Sequence, residues 1–594
     1  MKKLTVLNSL VIFSLVFFLF TPNISHATVY YVDLNHPSVS DTNPGTLDLP
    51  WLTIQHAAET MVAGDTVYIK AGTYQERVVP QNSGSGDNYI VYAAYLDDTV
   101  TIDGEKISLS DCEDGLFVIN KKSYIKVLGL RIINAGPNHN NAGILVYNSS
   151  HIIIEKNYTY NTVSSGIGVW NSDNIIIDGN QVELACNDGE QECITVVGTN
   201  IFEIKNNYVH HGGPGTRGGE GIDAKDGSSN GKIYKNCIHD MVRAGIYVDS
   251  WDKHTYNIDV FWNTAYDIRG GCGFALASEA GGLLENIKIY NNVAYNNEEV
   301  GFVIGAWGEL VPKHPIKNVK VINNTFYNNG KGSWGGGISI ENPDAENIAI
   351  RNNICSQNLL FQIQVEVSIP NLTVDHNLID GYRGYVDEIY GNDYVEGDPK
   401  FVNSSGADFH LQKDSPAIDS GSAIDAPSDD FDGNPRPQGD GYDIGAYEYI
   451  NANGQALCGP EQAIPNEHIV GVCDTACQQG APVKAGAQTL DVCMNYSGPV
   501  TALVGIMTQD FSATQWLRAD NCSFSDNFQT AMDGSQYLDC SNVQVSKAFR
   551  QGWVFWLVSP VSLDQLDWQS GDYELLFFAL TSNDATKMTL ANVK

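Results

Sequence analysis

The stretch LENIKIYNNVAYNNEEVGFVI, residues 284–304, decides the fold of this 594-residue chain. It joins the apolar alternation IKI (287–289) to an asparagine, Asn292, and then to a second short strand that begins at Gly301. Strands of this kind have one apolar and one polar face, and one turn of them cannot bury its apolar face alone. The unit therefore has to be repeated and stacked.

The same unit recurs through the middle of the chain at spacings of about 23 to 32 residues. The repeated asparagines are Asn157, Asn180, Asn207, Asn236, Asn263, Asn292, Asn324, Asn353 and Asn377. The second strand starts at Gly143, Gly166, Gly221, Gly245, Gly273, Gly301 and Gly337. Stacking such coils makes a continuous core and continuous parallel sheets. The pattern predicts an all-β protein, a right-handed parallel β-helix of about ten coils over residues 65–400.

Each repeated asparagine is expected at a tight turn. Its side-chain amide can bond the equivalent backbone of the next coil, and asparagine tolerates the left-handed backbone conformation. Neither the helical segments of a leucine-rich repeat nor the hairpin signals of a propeller are seen.

The N-terminus reads as a signal peptide. Lys2 and Lys3 precede the apolar run from Leu4 to Phe20, and small residues place the cleavage after Ala27. No later apolar run is long enough to cross a membrane. We therefore expect a protein exported to the extracellular space or the periplasm that does not span a membrane.

The repeat region is flanked by segments of other composition. Residues 28–64, which include an amphipathic helix, are expected to form the N-terminal cap of the solenoid, and residues 401–450 its closing segment. From residue 455 to 594 the asparagine pattern stops and hairpin-like strands appear, which predicts a separate disulfide-containing β-sandwich.

The net charge of −36 becomes −36 − 2 = −38 once the two leader lysines are removed. Such acidity repels phosphate and argues against nucleic acid as a partner. A polyanionic substrate then needs a cation or a local basic patch at its site. A monomer is expected, and calcium is a candidate ligand.

Six of the twelve cysteines lie in the last 140 or so residues and predict up to three disulfides. Cys186 and Cys193 flank a polar loop that a disulfide can close. The remaining single cysteines, read as buried thiols, are Cys112, Cys237, Cys272 and Cys355.

Strand alternation places chemistry on one outward face. Counting from each glycine, residues at +1 and +3 point inward and those at +2 and +4 outward. Carboxylates, a lysine and aromatic rings gather there over the middle coils, a composition that suits a polysaccharide. The candidate catalytic residues are Asp223, Lys225, Asp249 and Glu279. The candidate substrate-binding residues are Tyr147, Trp170, Arg217, Tyr247, Trp251, Trp307 and Glu341.

Several stretches resemble known families. PWLTIQHAA (50–58) with GDTVYIKAGTYQE (64–76) resembles the start of secreted pectate-lyase-like β-helix proteins with PbH1-type repeats, including the chondroitinase B and alginate lyase type. GEGIDAKDGSSNGKIYKN (219–236) resembles the glutamate-to-lysine stretch of that type. The resemblance implies that Glu220 is a calcium ligand and Lys225 the base.

In that family a catalytic arginine stands where this chain has Asp249. Arg217, His210 and His211 can partly compensate for its loss.

The stretch DFDGNPRPQGDGYD (430–443) resembles the closing segment of bacterial secreted β-helix proteins. Asp430 and Asp432 are candidate structural calcium ligands there.

Several functions stay open. In a glycoside hydrolase, Asp223 and Asp249, roughly 8 Å apart, act as acid and base, and Glu279 can replace either. AGIYVD and GFALASEAGG loosely resemble β-helix hydrolases with an Asp and a Glu on successive coils. In a polysaccharide lyase or epimerase, Lys225 takes a proton from a uronate. In a non-catalytic adhesin or glycan-binding protein, Lys225 and Asp249 form a plain salt bridge.

Overall fold

The computed structural model describes residues 27–450 apart from 87, 111–113 and 215–217, and farther on the backbone of short strands between 470 and 593. Three parallel sheets run side by side along the chain, two with thirteen strands and one with ten. In each sheet the neighbours of a strand come from the preceding and the following coil. This is a parallel β-helix, as the repeat predicts, and its coils follow the predicted register.

The first sheet contains the strand that precedes each repeated asparagine: Val29–Val32, Thr66–Ile69, Ile90–Ala94, Ser123–Leu128, Ser150–Glu155, Asp173–Asp178, Asn200–Lys205, Ser229–Tyr234, Thr255–Phe261, Leu284–Tyr290, Ile316–Ile322, Ala345–Arg351 and Thr373–Asp375. The second sheet contains the strand that follows it: Gly72–Tyr74, Val100–Asp103, Arg131–Ile133, Tyr158–Tyr160, Gln181–Glu183, Tyr208–His210, Cys237–His239, Thr264–Tyr266, Val293–Tyr295, Thr325–Tyr327, Ile354–Ser356, Leu378–Asp380 and Val395–Glu396.

The third sheet contains the glycine-led strands and carries the candidate site: Asp114–Asn120, Asn141–Tyr147, Ile167–Trp170, Ile194–Val197, Ile222–Lys225, Ile246–Ser250, Phe274–Ser278, Phe302–Ile304, Gly336–Ile340 and Phe361–Val365. Its inward residues are apolar and buried in every coil; Ile222 and Ala224, for example, pair with Ile246 and Val248 of the next coil. They belong to one apolar core that runs the length of the solenoid.

The repeated asparagines form a buried ladder from Asn157 to Asn377. The side-chain oxygen of Asn180 accepts from the backbone N–H of Asn157 at 2.9 Å, and its amide donates to Asn207 at 3.0 Å. The same pattern repeats coil after coil to Asn377. The expected bond between an asparagine side chain and the equivalent backbone is present, but it reaches the preceding coil and not the next one. The left-handed backbone, however, belongs to the residue before each asparagine, such as Lys156 with φ of 52°, since the asparagine itself has to turn its amide inward.

A shorter ladder runs beside the first one between the second and third sheets. The backbone N–H of Asn297 donates to the side chain of Asn329, and that of Asn329 to Asn358, at 3.2 and 2.9 Å. Side-chain amides thus satisfy buried backbone groups at two corners of the later coils.

The chain segments outside the coils are short. The helix Ile54–Thr60 begins after Thr53, whose hydroxyl accepts from the backbone N–H of His56, and it buries Ile54, Ala57 and Ala58. After the last coil, Phe401–Asn403 and Asp408–Leu411 form an antiparallel hairpin around the 3₁₀ turn Ser404–Gly406. No helix of the described residues has the length and apolar character needed to cross a membrane.

In the C-terminal part the described strands form two antiparallel sheets, which leaves the β-sandwich over residues 455–594 a prediction. One sheet contains Val470–Cys473, Leu490–Met494, Trp553–Ser559 and Gln544–Arg550. The other contains Phe524–Ser525, Thr514–Leu517, Val500–Thr508, Tyr573–Thr581 and Met588–Val593. The signal-peptide prediction falls, except for Ala27, outside the described residues.

The cysteines of the solenoid depart from the expectation in two places. Cys186 and Cys193 are buried free thiols, so the disulfide expected across their loop is wrong. Cys237 is disulfide-bonded rather than a thiol. Cys272 and Cys355 are buried thiols as expected. Cys112 and the side chains of the six C-terminal cysteines lie outside the described residues.

Candidate functional site

The candidate catalytic residues lie on the outward face of the third sheet, on adjacent coils. Asp223 pairs in register with Thr195 on one side and with Tyr247 on the other. Lys225 pairs with Val197, and Asp249 pairs with Ala277. The coils on either side carry Val197 and Ala277 at the positions of Lys225 and Asp249, and Glu279 follows the strand of the coil after Asp249.

The ammonium of Lys225 is held by a carboxylate that the sequence analysis did not single out. Its Nζ donates to both oxygens of Glu192, at 2.6 and 2.7 Å, and lies 3.7 Å from Oδ2 of Asp223. Glu192 precedes the strand Ile194–Val197, and the hydroxyl of Thr195 donates to its Oε2. The expected salt bridge between Lys225 and Asp249 is replaced by this pair with Glu192.

The carboxylates around Lys225 are buried. Asp223 and Asp249 are 1% and 3% exposed, although alternation turns them away from the core. Among the described residues, Oδ1 of Asp223, Oδ1 of Asp249 and Oε2 of Glu220 are buried and accept no hydrogen bond. The outward face is therefore closed to solvent at these two side chains.

Burial and mutual repulsion set the protonation of this cluster. Burial, followed by the charge of Asp249, raises the pKa of Asp223. Burial also raises the pKa of Asp249, against the opposing effect of Lys225. Although burial opposes the charge of Lys225, the neighbouring carboxylates, Glu192 foremost, raise the pKa of its ammonium. The lysine is thus a bound cation, whereas the two aspartates hold protons more readily than free ones.

Tyr247 and Glu279 form a second pair at the edge of the cluster. The phenol of Tyr247 donates to Oε1 of Glu279. Burial, followed by the charges of Asp249 and Glu279, raises the pKa of Tyr247 and keeps the phenol protonated. The ring of Trp307 lies 6.3 Å from that of Tyr247.

Glu220 lies just before the strand that carries Asp223 and Lys225. Its Oε1 is 3.7 Å from a guanidinium nitrogen of Arg243. Burial and the charge of Glu192 raise the pKa of Glu220 to about 7.

Calcium prefers carboxylate oxygens, and the cluster offers several. However, the described residues contain no group of three His, Cys, Asp or Glu side chains arranged to hold a metal ion. The ammonium of Lys225 already stands between Glu192 and Asp223. The side chains as arranged do not fit a calcium ion at this position.

The predicted substrate-binding residues divide into exposed and buried ones. Trp251 and Trp307 are 42% and 40% exposed. Trp251 follows Asp249 by two residues, and the loop of Trp307 meets Glu279 through the backbone of Glu309. Trp170 was expected to be exposed as well, but it is buried in an apolar cluster that Tyr147 also contacts. Glu341 accepts from the hydroxyl of Ser339, two coils beyond the strand Phe274–Ser278.

The histidines lie elsewhere. His210 belongs to the second sheet, where its ring stacks on that of His239 at 5.3 Å and its Nδ1 lies 2.7 Å from Nδ1 of His211. His210 also contacts Gln181 and Glu183, and none of these partners belongs to the Lys225 cluster. Arg217 falls outside the described residues.

The closing segment uses its acidic residues for internal contacts. Asp430 accepts from the backbone N–H groups of Asp432, Asn434 and Glu448. Asp432 binds Nε2 of His410 at 2.7 Å. The expectation of calcium at these two aspartates remains a prediction.

The residue that the sequence analysis missed, Glu192, stands at position −2 from Ile194 in a coil with no glycine before its strand. Its only signal is an acidic residue beside a strand that has Cys193 in place of the leading glycine. That signal is recognisable once the coil is aligned with the next, where Glu220 occupies the matching place before Ile222.

Comparison with known proteins identifies the family. The family model described as "Pel9A-like, right handed beta helix region" matches residues 30–353, more than half of the chain. An uncharacterized protein, YwoF of Bacillus subtilis strain 168, is 30% identical over 442 residues, which are 64% of this chain and 91% of the relative.

Two further matches are more limited. Pectate lyase PEL9 of Emericella nidulans is 33% identical over 112 residues, 17% of this chain and 27% of that enzyme. The crystal structure of pectate lyase Pel9A aligns over 72% of this chain and 98% of its own, with a TM-score of 0.43 and 18% identity. The extent of the family match, together with the stacked coils and their asparagine ladder, shows that this chain belongs to the Pel9A-like family of right-handed β-helix proteins.

Proposed function

We propose that this chain is an exported enzyme that cleaves a uronate-bearing polysaccharide by β-elimination on the outward face of the third sheet. The observation that carries the proposal is the lysine–carboxylate cluster of Lys225, Glu192, Asp223 and Asp249. The family membership and the relatives named as pectate lyases support the substrate class.

The fold does not require charged residues at the positions of this cluster. Burying a charged group costs several kcal/mol unless it is well paired, and the adjacent coils place Val197 and Ala277 at the positions of Lys225 and Asp249. The solenoid therefore packs well without charges. Buried titratable groups with displaced pKa values are typical of functional sites.

Elimination from a uronate needs three groups. A cation has to neutralise the carboxyl, a base has to take the proton alpha to it, and an acid has to protonate the leaving oxygen. In our proposal the Lys225 ammonium faces the substrate carboxyl, and the carboxylate of Asp249, whose Oδ1 accepts no hydrogen bond in the described part of the chain, is the base.

The protons and electrons balance within the site. The alpha proton passes to Asp249, the bond between the beta carbon and the glycosidic oxygen breaks, and a carbon–carbon double bond forms between the alpha and beta carbons. The leaving oxygen takes its proton from Tyr247, whose phenol is held protonated and oriented by Glu279. Trp251 and Trp307 provide exposed rings on which sugar units can stack.

Hydrolysis is the second candidate, and one observation favours it. Asp223 and Asp249 lie on adjacent coils, and burial raises the pKa of both. Such a pair can share a proton, so that one carboxyl acts as acid and the other as base toward water.

The test is incubation of the mature chain with galacturonan, alginate, glucuronan and neutral xylan, followed by absorbance of unsaturated products and assay of reducing ends. Unsaturated products from a uronate polymer support the proposal. Reducing ends without that absorbance establish hydrolysis instead. Neither product, at several pH values and with or without calcium, would overturn the enzyme proposal and favour a glycan-binding or adhesive role.

A further inference from the structure

We infer that the Lys225 ammonium is the resident cation of the third-sheet site and that Glu192 is the residue that positions it, in the place where a divalent metal ion would otherwise neutralise carboxylates. The placement of the cation stands on geometry alone. Only its action on a substrate carboxyl rests on the proposed function.

The Lys225 ammonium lies between two carboxylates, as a bound metal ion would. Two of its three N–H groups are directed to the two oxygens of Glu192, at 2.6 and 2.7 Å, and Asp223 lies on another side at 3.7 Å. The hydroxyl of Thr195 fixes the far oxygen of Glu192. Two donors on one carboxylate leave the third N–H of the ammonium for Asp223 or for a substrate oxygen.

The surroundings contain more carboxyl groups than cations. Glu220 and Asp249 add two more buried carboxyl groups with an unpartnered oxygen each. Arg243 is a further cation close to the cluster, and its half-exposed side chain lies 3.7 Å from Glu220. An ammonium at the centre is therefore the charge on which the cluster depends.

A metal ion and this ammonium compete for the same oxygens. A calcium ion needs six to eight oxygen ligands at about 2.3–2.6 Å. The carboxylate of Glu192 cannot supply them while both of its oxygens hold Lys225. We conclude that the acidic cluster should become a metal site only when the lysine charge is removed.

The experiment compares calcium binding by calorimetry, and melting with calcium or with chelator, in the full-length mature chain and its variants. The Glu192→Gln and Asp223→Asn variants should bind calcium to the same extent as the wild type. Lys225→Met should gain one calcium equivalent and a calcium-dependent rise of several degrees in melting temperature. Lys253→Met is the matched control, because it removes an exposed lysine paired with Asp226 at 2.6 Å, and it should gain nothing.

Lys225→Arg keeps the positive charge and should neither gain a calcium site nor lose the fold. The inference would be overturned if the wild type binds calcium and Glu192→Gln or Asp223→Asn abolishes that binding. It would also be overturned if Lys225→Met folds but does not gain a calcium site. If Lys225→Met does not fold, the two carboxylate variants decide the question. None of these readouts uses a polysaccharide, so failure of the proposed function is distinguishable from failure of this inference.

Discussion

The ammonium of Lys225 and the carboxylate of Glu192 meet through both carboxylate oxygens, at 2.6 and 2.7 Å, across two adjacent coils. Glu192 comes from the segment before one strand of the third sheet, and Lys225 from the end of the next strand. The pair therefore joins a residue outside the strands of one coil to the strand of the next coil. Two charge-assisted hydrogen bonds to one carboxylate fix the position of the buried Lys225 ammonium.

The role of Glu192 is testable by removing its charge while keeping its shape. Glu192→Gln replaces the ion pair with Lys225 by a weaker neutral hydrogen bond. The ammonium is then no longer held in a fixed position toward the substrate carboxyl. We expect kcat on the cleaved uronate polymer to fall by about a hundredfold, with a smaller change in KM.

The matched control for Glu192 is Glu203→Gln, since Glu203 holds Lys205 at 2.9 Å on the first sheet, away from the site. Its activity should equal that of the wild type. Equal activity of Glu192→Gln and wild type would contradict the positioning role.

The Tyr247 phenol is expected to act as the acid. Tyr247→Phe removes the proton donor and leaves Glu279 without that partner. Steady-state kinetics should show kcat lowered by about 10² to 10⁴, and circular dichroism should show an intact solenoid. Tyr266→Phe, in the ring stack of the second sheet, is the control and should keep full activity. Loss of the fold in Tyr247→Phe, rather than of the rate, would assign the residue a packing role.

The exposed tryptophans should affect binding and not stability. Trp251→Ala and Trp307→Ala each remove an aromatic surface, which we expect to weaken binding of an oligosaccharide by about tenfold, equivalent to roughly 1.4 kcal/mol. Each tryptophan substitution is combined with Asp249→Asn, which we expect to abolish cleavage, so that binding can be measured without turnover. Leu310→Ala, a fully exposed residue in the loop of Trp307, is the control. Unchanged affinity in both tryptophan variants would place the glycan elsewhere.

The asparagine ladder should contribute a large share of stability. In Asn263→Ala, the backbone N–H of Asn236 and the carbonyl of Ile233 lose their buried partner. Each unsatisfied group costs about 1–3 kcal/mol, so denaturant unfolding should show a loss of several kcal/mol. Asn257→Gly, at a solvent-exposed ladder with φ of 55°, is the control because glycine accepts that backbone conformation. A loss there equal to that in Asn263→Ala would contradict the importance of burial.

His210 should make stability depend on pH. Burial, with opposing effects from Glu183 and Asp240 and reinforcing ones from His239 and His211, lowers the pKa of His210 to about 4. The folded state therefore binds this proton more weakly than the unfolded state, whose histidine titrates near 6.5. The stability contribution is full above pH 6.5 and declines as pH falls toward 4.

The corresponding measurement is the free energy of unfolding at pH 7 and pH 5 in His210→Gln. The decrease between these two pH values should be smaller than in the wild type. His254→Gln removes a half-exposed histidine paired with Glu285 and should leave the decrease unchanged. An identical decrease in His210→Gln and wild type would show that other groups titrate.

By itself, the sequence determined the solenoid. The period of the asparagines and the apolar alternation dictate coil length, register and inward residues, because a strand that slips by one residue exposes its whole apolar face. The ladder from Asn157 to Asn377 could thus be predicted residue by residue. The same alternation correctly placed Asp223, Lys225, Tyr247 and Asp249 on one outward face.

Only the tertiary structure decided what that face is like. Trp170 is buried by side chains of neighbouring coils that pack on the same face. Glu279 and Glu192, the partners of Tyr247 and Lys225, lie just outside the strands, where the chain follows no period. Glu192 lies 33 residues before its partner in the chain, so strand alternation gives no rule that joins them. Periodic hydrophobicity fixes the backbone of a repeat protein, whereas the contacts of its charged side chains depend on residues that do not repeat.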